Sequence, residues 1–70
     1  MDEPRTAEWW GLRSGAFVSD VAGARCVLEP ASGHWRWEVL DARGERVEHG
    51  AASTRETAAE AARSAALGWP

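Results

Sequence analysis

From His34 to Val39 the chain alternates polar and apolar residues without a break: His34-Trp35-Arg36-Trp37-Glu38-Val39. Strict alternation puts one set of side chains on each side of an extended chain, so it marks a strand with one buried face. Trp35, Trp37 and Val39 point one way, and His34, Arg36 and Glu38 the other. Such a strand needs partners, and the flanking turns supply them. Asp41-Ala42-Arg43-Gly44 fits a type I turn with Gly44 in the left-handed region, a three-residue hairpin with a glycine bulge. That hairpin pairs Asp41 with Glu45 and sets Val39 against Val47, Trp37 against His49 and Trp35 against Ala51. Pairing Leu40 with Glu45 would instead set Trp37 against Glu48 and Val39 against Arg46. A one-residue slip exchanges the faces of a strand, so the bulged hairpin is preferred.

The same reasoning runs upstream. With Pro30-Ala31-Ser32-Gly33 as a loop, Glu29 pairs with His34, Leu28 with Trp35 and Cys26 with Trp37. A turn at Ala22-Gly23 pairs Val21 with Ala24, Asp20 with Arg25 and Phe17 with Leu28. The predicted strands are 16–21, 24–29, 34–40 and 45–50. In this register Arg25, Arg36, Glu38, Arg46 and Glu48 share the outward face, with Arg25 opposite Glu38 and the pairs Arg36–Glu48 and Glu38–Arg46 on diagonals.

The C-terminal part changes period. Ser53 and Glu56 have the spacing of a capping box. From Thr54 to Leu67 almost every residue is a good helix former, and Gly68 is placed to end the helix in a left-handed conformation. Ala58, Ala61, Ala62, Ala65 and Ala66 fall on one face, while Arg55, Glu56, Glu60 and Arg63 cover the other. An alanine face approaches its partner closely and needs bulk opposite it. The predicted core is therefore Phe17, Cys26, Leu28, Trp35, Trp37, Val39 and Val47 against those alanines. The fold class is α+β: an antiparallel meander of three to four strands with one C-terminal alanine-rich helix packed on one face. Residues 1–15 are read as an irregular or short helical N-terminal segment, and residues 16–70 as a single meander-plus-helix domain.

Residues 33–67 resemble the short strand-strand-helix unit of the YegP-like family. The resemblance is carried by Gly33, Trp35, Trp37, Val39, Asp41 and Gly44, then Gly50, Ser53 or Thr54, and Ala58 and Ala62. It covers about half the chain and rests on turn and packing residues. It implies a fold and no catalytic residue. Family members carry the unit as a tandem repeat, whereas this chain has one copy and an unmatched N-terminal part.

Composition narrows the functional classes. At 70 residues there is room for one small core and none for a separate cofactor domain. The net charge of −3 argues against nucleic acid, whose binders carry a basic excess. No apolar run reaches the ~18 residues of a membrane span, and the acidic start Met1-Asp2-Glu3-Pro4 lacks the apolar stretch of a signal peptide. The single cysteine forms neither an internal disulfide nor a zinc site. These features predict a cytoplasmic protein. Lys, Asn, Ile, Tyr and Gln are absent while Ala, Arg and Gly abound, which indicates a high-GC bacterium or its phage or plasmid.

Each chemically active residue type also has a structural role in this reading. His34 and His49 point to opposite faces, with His49 inward. Cys26 falls in the core beside Trp37, where a buried thiol acts as a small hydrophobe. In Trp35-Arg36-Trp37 the alternation sends Arg36 away from both rings. No catalytic, cofactor-binding or metal-binding residue is expected. Three of the five tryptophans, Trp9, Trp10 and Trp69, lie outside the predicted elements. Exposed aromatic surface marks binding sites, so these three are candidate partner-binding residues, with Arg25, Arg36, Glu38, Arg46 and Glu48 of the outer face. The alternative is that the three tryptophans close the open sides of a small core. The expected function is a non-enzymatic protein-interaction or regulatory module that binds a protein partner or forms a homodimer. Two alternatives are an anti-defence inhibitor from a mobile element that binds a host complex, and a nucleic-acid-associated regulator using Arg25, Arg36 and Arg46 with exposed tryptophans.

Overall fold

The computed structural model describes residues 9–68. Five antiparallel strands form one open sheet in chain order, and a single helix packs on one side of it. The strands are β1 (Trp10–Gly11), β2 (Phe17–Val21), β3 (Ala24–Ala31), β4 (His34–Leu40) and β5 (Arg46–Ala52), and the helix is α1 (Arg55–Gly68). The α+β class and the meander are as expected. The sheet has one strand more than expected, because Trp10 and Gly11 pair with Val18 and Phe17. Trp69 lies outside the described residues.

The β1–β2 connection copies the β4–β5 turn. In the latter, Gly44 N–H donates to the Asp41 carbonyl at 2.9 Å and Asp41 N–H to the Glu45 carbonyl at 2.8 Å. In the former, Gly15 N–H donates to Leu12 O at 2.9 Å and Leu12 N–H to Ala16 O at 2.7 Å. Gly15 and Gly44 hold φ values of 95° and 85°, the left-handed bulge position that glycine adopts without strain. Leu12-Arg13-Ser14-Gly15 thus makes the turn predicted for Asp41-Ala42-Arg43-Gly44. The signal was present in Gly15, but a two-residue strand has no periodicity to go with it.

The β2–β3 hairpin has the predicted register, Val21 opposite Ala24 and Phe17 opposite Leu28. Its two turn residues, Ala22 and Gly23, have φ of 53° and 84°. Both are left-handed, as a two-residue hairpin turn of type I′ requires.

Two registers differ from expectation. Between β3 and β4 the loop contains only Ser32 and Gly33, and Ala31 pairs with His34. Leu28 therefore faces Trp37 and Cys26 faces Val39, two residues from the predicted pairing. A two-residue shift preserves the faces, so alternation cannot detect it. Pro30 had suggested a loop, yet it lies in β3 opposite Trp35. Next to the terminal Ala31–His34 pair, the backbone N of residue 30 points away from β4, on the side where β2 has already ended. The missing N–H breaks no ladder bond there.

Between β4 and β5 the turn is as predicted, but a bulge follows. Leu40 pairs with Arg46 whereas Val39 pairs with Glu48, and the slip continues through Glu38–His49, Trp37–Gly50 and Trp35–Ala52. The expected pairs Val39–Val47, Trp37–His49 and Trp35–Ala51 do not form. The expectation that His49 points inward is overturned too: it joins Glu38 on the outer face and is exposed. Packing explains the slip. The Trp37 indole lies over Gly50 so closely that a Cβ there would stand 2.7 Å from its Cζ2 atom. The bulge places the one residue without a side chain under the ring and sends the imidazole to solvent.

The helix begins one residue later than the capping box suggested. Thr54, and not Ser53, caps it: Thr57 N–H donates to Thr54 Oγ1 at 3.1 Å and Ala58 N–H to Thr54 O at 3.0 Å. Gly68 is its last residue. Ala58, Ala62 and Ala66 are buried against Val21, Ala24, Cys26, Leu28 and Val39. The approach is close enough for the Cys26 thiol to reach the Ala62 carbonyl at 3.6 Å. Phe17, Trp35, Trp37 and Val47 are half-buried around this core. The large rings therefore wall the core, and its centre is made of small and branched side chains.

Candidate interaction surfaces

Alternation divides the tandem tryptophans between the two sides of the sheet. Trp10 pairs with Val18, which pairs with Val27, which pairs with Glu38, which pairs with His49. Directly paired residues share a face, so this row crosses all five strands on the side away from α1. Trp10 is 53% exposed and Leu12, two residues on, 49%. With the half-buried Val18 and Val27 they form an apolar patch at the β1 edge of a sheet face that no described element covers. Trp9 lies on the opposite side, half-buried against the core.

The charged part of the outer face is built differently from the expectation. Arg25 pairs in register with Leu40, and its guanidinium meets Asp20 at 3.2 Å instead of Glu38. Arg36 lies 3.6 Å from Glu29. Only the Glu38–Arg46 neighbourhood is as expected, at 3.8 Å. The bulge removes Glu48 from this row by pairing it with Val39, and His49 takes its place. Arg25, Arg36, Glu38 and Arg46 thus remain together on one face and Glu48 leaves it. A shallow groove of about 230 Å3 runs between Glu29, Arg36, Glu38, Arg46 and His49. Each arginine of the set has a carboxylate within 4 Å, and such exposed pairs contribute little to stability, at most ~1 kcal/mol.

A second depression lies on the helix side, about 370 Å3 in volume, between Trp9, Phe17, Leu28, Arg55 and Ala59. The Arg55 guanidinium carbon sits 4.7 Å from the centre of the Phe17 ring, and that ring is tilted against Trp35 at 6.2 Å. Sequence reasoning placed Phe17 in the core and left Trp9 without a partner. The pairing of Trp10 with Val18 puts Trp9 on the same side as Phe17, and only that pairing assembles the cleft.

The titratable groups that depart from ordinary behaviour have structural causes. The Asp41 carboxyl is held below its usual range by the backbone N–H groups of Glu45 and Arg43, which its Oδ1 accepts at 2.9 Å each. It fastens the β4–β5 turn. Burial pushes the Cys26 thiol up, with Asp20 adding to the effect. Among the described residues no three His, Cys, Asp or Glu side chains gather as metal ligands. No described helix is long and apolar enough to cross a membrane.

No family model matches the chain, and no curated protein or solved structure does. The likeness to the YegP-like unit rests on the turn and packing residues alone.

Proposed function

We propose that this chain is a non-enzymatic interaction module whose outer sheet face binds a protein partner. The observation that carries the reading is the sheet face opposite α1, which no other described element covers. Among the described residues a single helix covers one side of five strands, and the other side presents Trp10 and Leu12 beside Val18 and Val27 near β1, with Arg25, Arg36, Glu38 and Arg46 on β3–β5. Exposed tryptophan beside arginines is a composition found at protein interfaces, where these two residue types dominate the energetics. The proximity of each outer-face arginine to a carboxylate weighs against the nucleic-acid reading, because a guanidinium already facing a carboxylate neutralises a phosphate poorly.

The test is affinity capture from the native host with wild type, Trp10→Ala and Arg43→Ala, the last in a turn away from the patch. Wild type and Arg43→Ala should retain the same partner, while Trp10→Ala loses it by about 30-fold or more, the size of an interface hot spot. Equal capture by all three proteins overturns the reading. Light scattering on the purified chain distinguishes a different partner from a second copy.

A further inference from the structure

On the other side of the sheet, we propose that the cleft between α1 and β1–β2 is a binding site for a small apolar carboxylate of amino-acid size. The site lies on the opposite face of the sheet from the Trp10 patch. A helix is ~10–12 Å wide with its side chains, and five strands at ~4.8 Å spacing span considerably more. The helix α1 lies mainly on β3, β4 and β5 and touches β2 only at its margin. The inner face of β1 and β2 is left beside it, with Trp9 on its rim and the fully buried Leu28 as part of its floor. Ala59, with the smallest side chain on the helix wall, keeps the cleft open. The resulting 370 Å3 falls in the range of small-molecule sites, which are mostly apolar with a few placed polar groups.

Arg55 is the placed polar group. Its guanidinium carbon lies 4.7 Å from the centre of the Phe17 ring, a cation–π contact that uses no N–H donor in a conventional hydrogen bond. The planar fork of N–H donors on a guanidinium is the geometry that binds a carboxylate in a two-pronged manner. Among the described residues the only carboxylate near it is Glu56, at 3.9 Å and itself 80% exposed. That contact is long and easily displaced. Leu28, Phe17 and Trp9 call for an apolar body, and Arg55 beside them calls for a negative charge attached to it. Glu56, also on the cleft wall, competes with the ligand for Arg55.

The test is an amide-resolved NMR titration of the intact chain with N-acetylphenylalanine as the free acid and, separately, as the carboxamide. At millimolar concentration the acid should shift the Trp9 indole N–H, the Arg55 side-chain N–H and the Ala59 amide. It should bind about two- to fivefold tighter than the carboxamide, the worth of one partly exposed ion pair. Arg55→Met should abolish that difference, Glu56→Gln should tighten the acid alone, and Ala59→Leu should block both probes; a thermal melt confirms that each variant is folded. No shifts at these three residues, or equal binding of acid and carboxamide, overturns the proposal. Tighter binding of a Gly-Gly-Phe tripeptide than of the free acid also overturns it, in favour of a protein C-terminus. Arg43→Ala, in the β4–β5 turn, should leave all of these readouts unchanged, and because the acid–carboxamide difference plays no part in the partner capture, the two readings fail separately.

Discussion

At the scale of single residues, Gly50 shows how one missing side chain sets the pairing of a whole strand. With a Cβ at that position 2.7 Å from the Trp37 ring, the ring must rotate or β5 must slip. Gly50→Ala should therefore destabilise the fold by ~1–3 kcal/mol, the usual cost of overpacking, as measured by urea denaturation. The Trp37 indole resonance should move in the same variant. If Gly50→Ala melts like the wild type, the bulge has another cause. Asp41 is the opposite case, a residue whose role was readable in advance. Aspartate at the first position of a type I turn accepts backbone N–H groups, and here it accepts two.

At the scale of elements, turn chemistry decided which hairpins could be read from the chain. The β4–β5 turn was legible because Asp41 and Gly44 occupy its two demanding positions. The β2–β3 turn was legible from the register of Phe17 against Leu28, although its first residue is ill-suited. Ala22 holds a left-handed φ of 53°, which costs a residue with a Cβ roughly 1–2 kcal/mol. Ala22→Asn should recover about 1 kcal/mol, since Asn-Gly is the preferred pair in this turn. For a chain of this size that corresponds to a rise in melting temperature of about 4–8 °C. An unchanged or lower melting temperature would show that the turn is not limiting. The β3–β4 register was misread because Pro30 suggested a loop and an even shift leaves the faces intact.

At the scale of the whole molecule, the core forms where an alanine stripe meets a sheet, and Cys26 lies at its centre. The thiol is fully buried and points at the helix backbone, so an alkylating reagent reaches it only when helix and sheet separate. Its reaction rate with iodoacetamide should follow the global unfolding equilibrium measured by denaturant. Fast alkylation under native conditions would contradict the packing. The sign of the pH effect follows from the raised folded-state value. Above the ordinary value of 9.0 the unfolded chain releases the thiol proton while the folded chain keeps it, so the unfolded state gains and stability falls as pH rises. Below 9.0 the contribution is complete.

The division between sequence and tertiary structure follows from the range of the interactions. Local chemistry determined four of the five strands, the helix, the turns at Ala22-Gly23 and Asp41–Gly44 and the separation of charged from apolar residues in β4, because each depends on neighbours a few residues away. The alanine helix and its need for an opposing sheet were equally local. Register beyond a turn was not local: the bulge that moves His49 outward and Glu48 out of the charged row arises from the size of the Trp37 ring against Gly50. Nor was the placement of Trp9 and Trp10. Their assignment to opposite faces required the short strand β1 to dock on β2, and its two residues carry no periodic signal. Both candidate surfaces depend on that docking, the Trp10 patch on one face and the Trp9 cleft on the other.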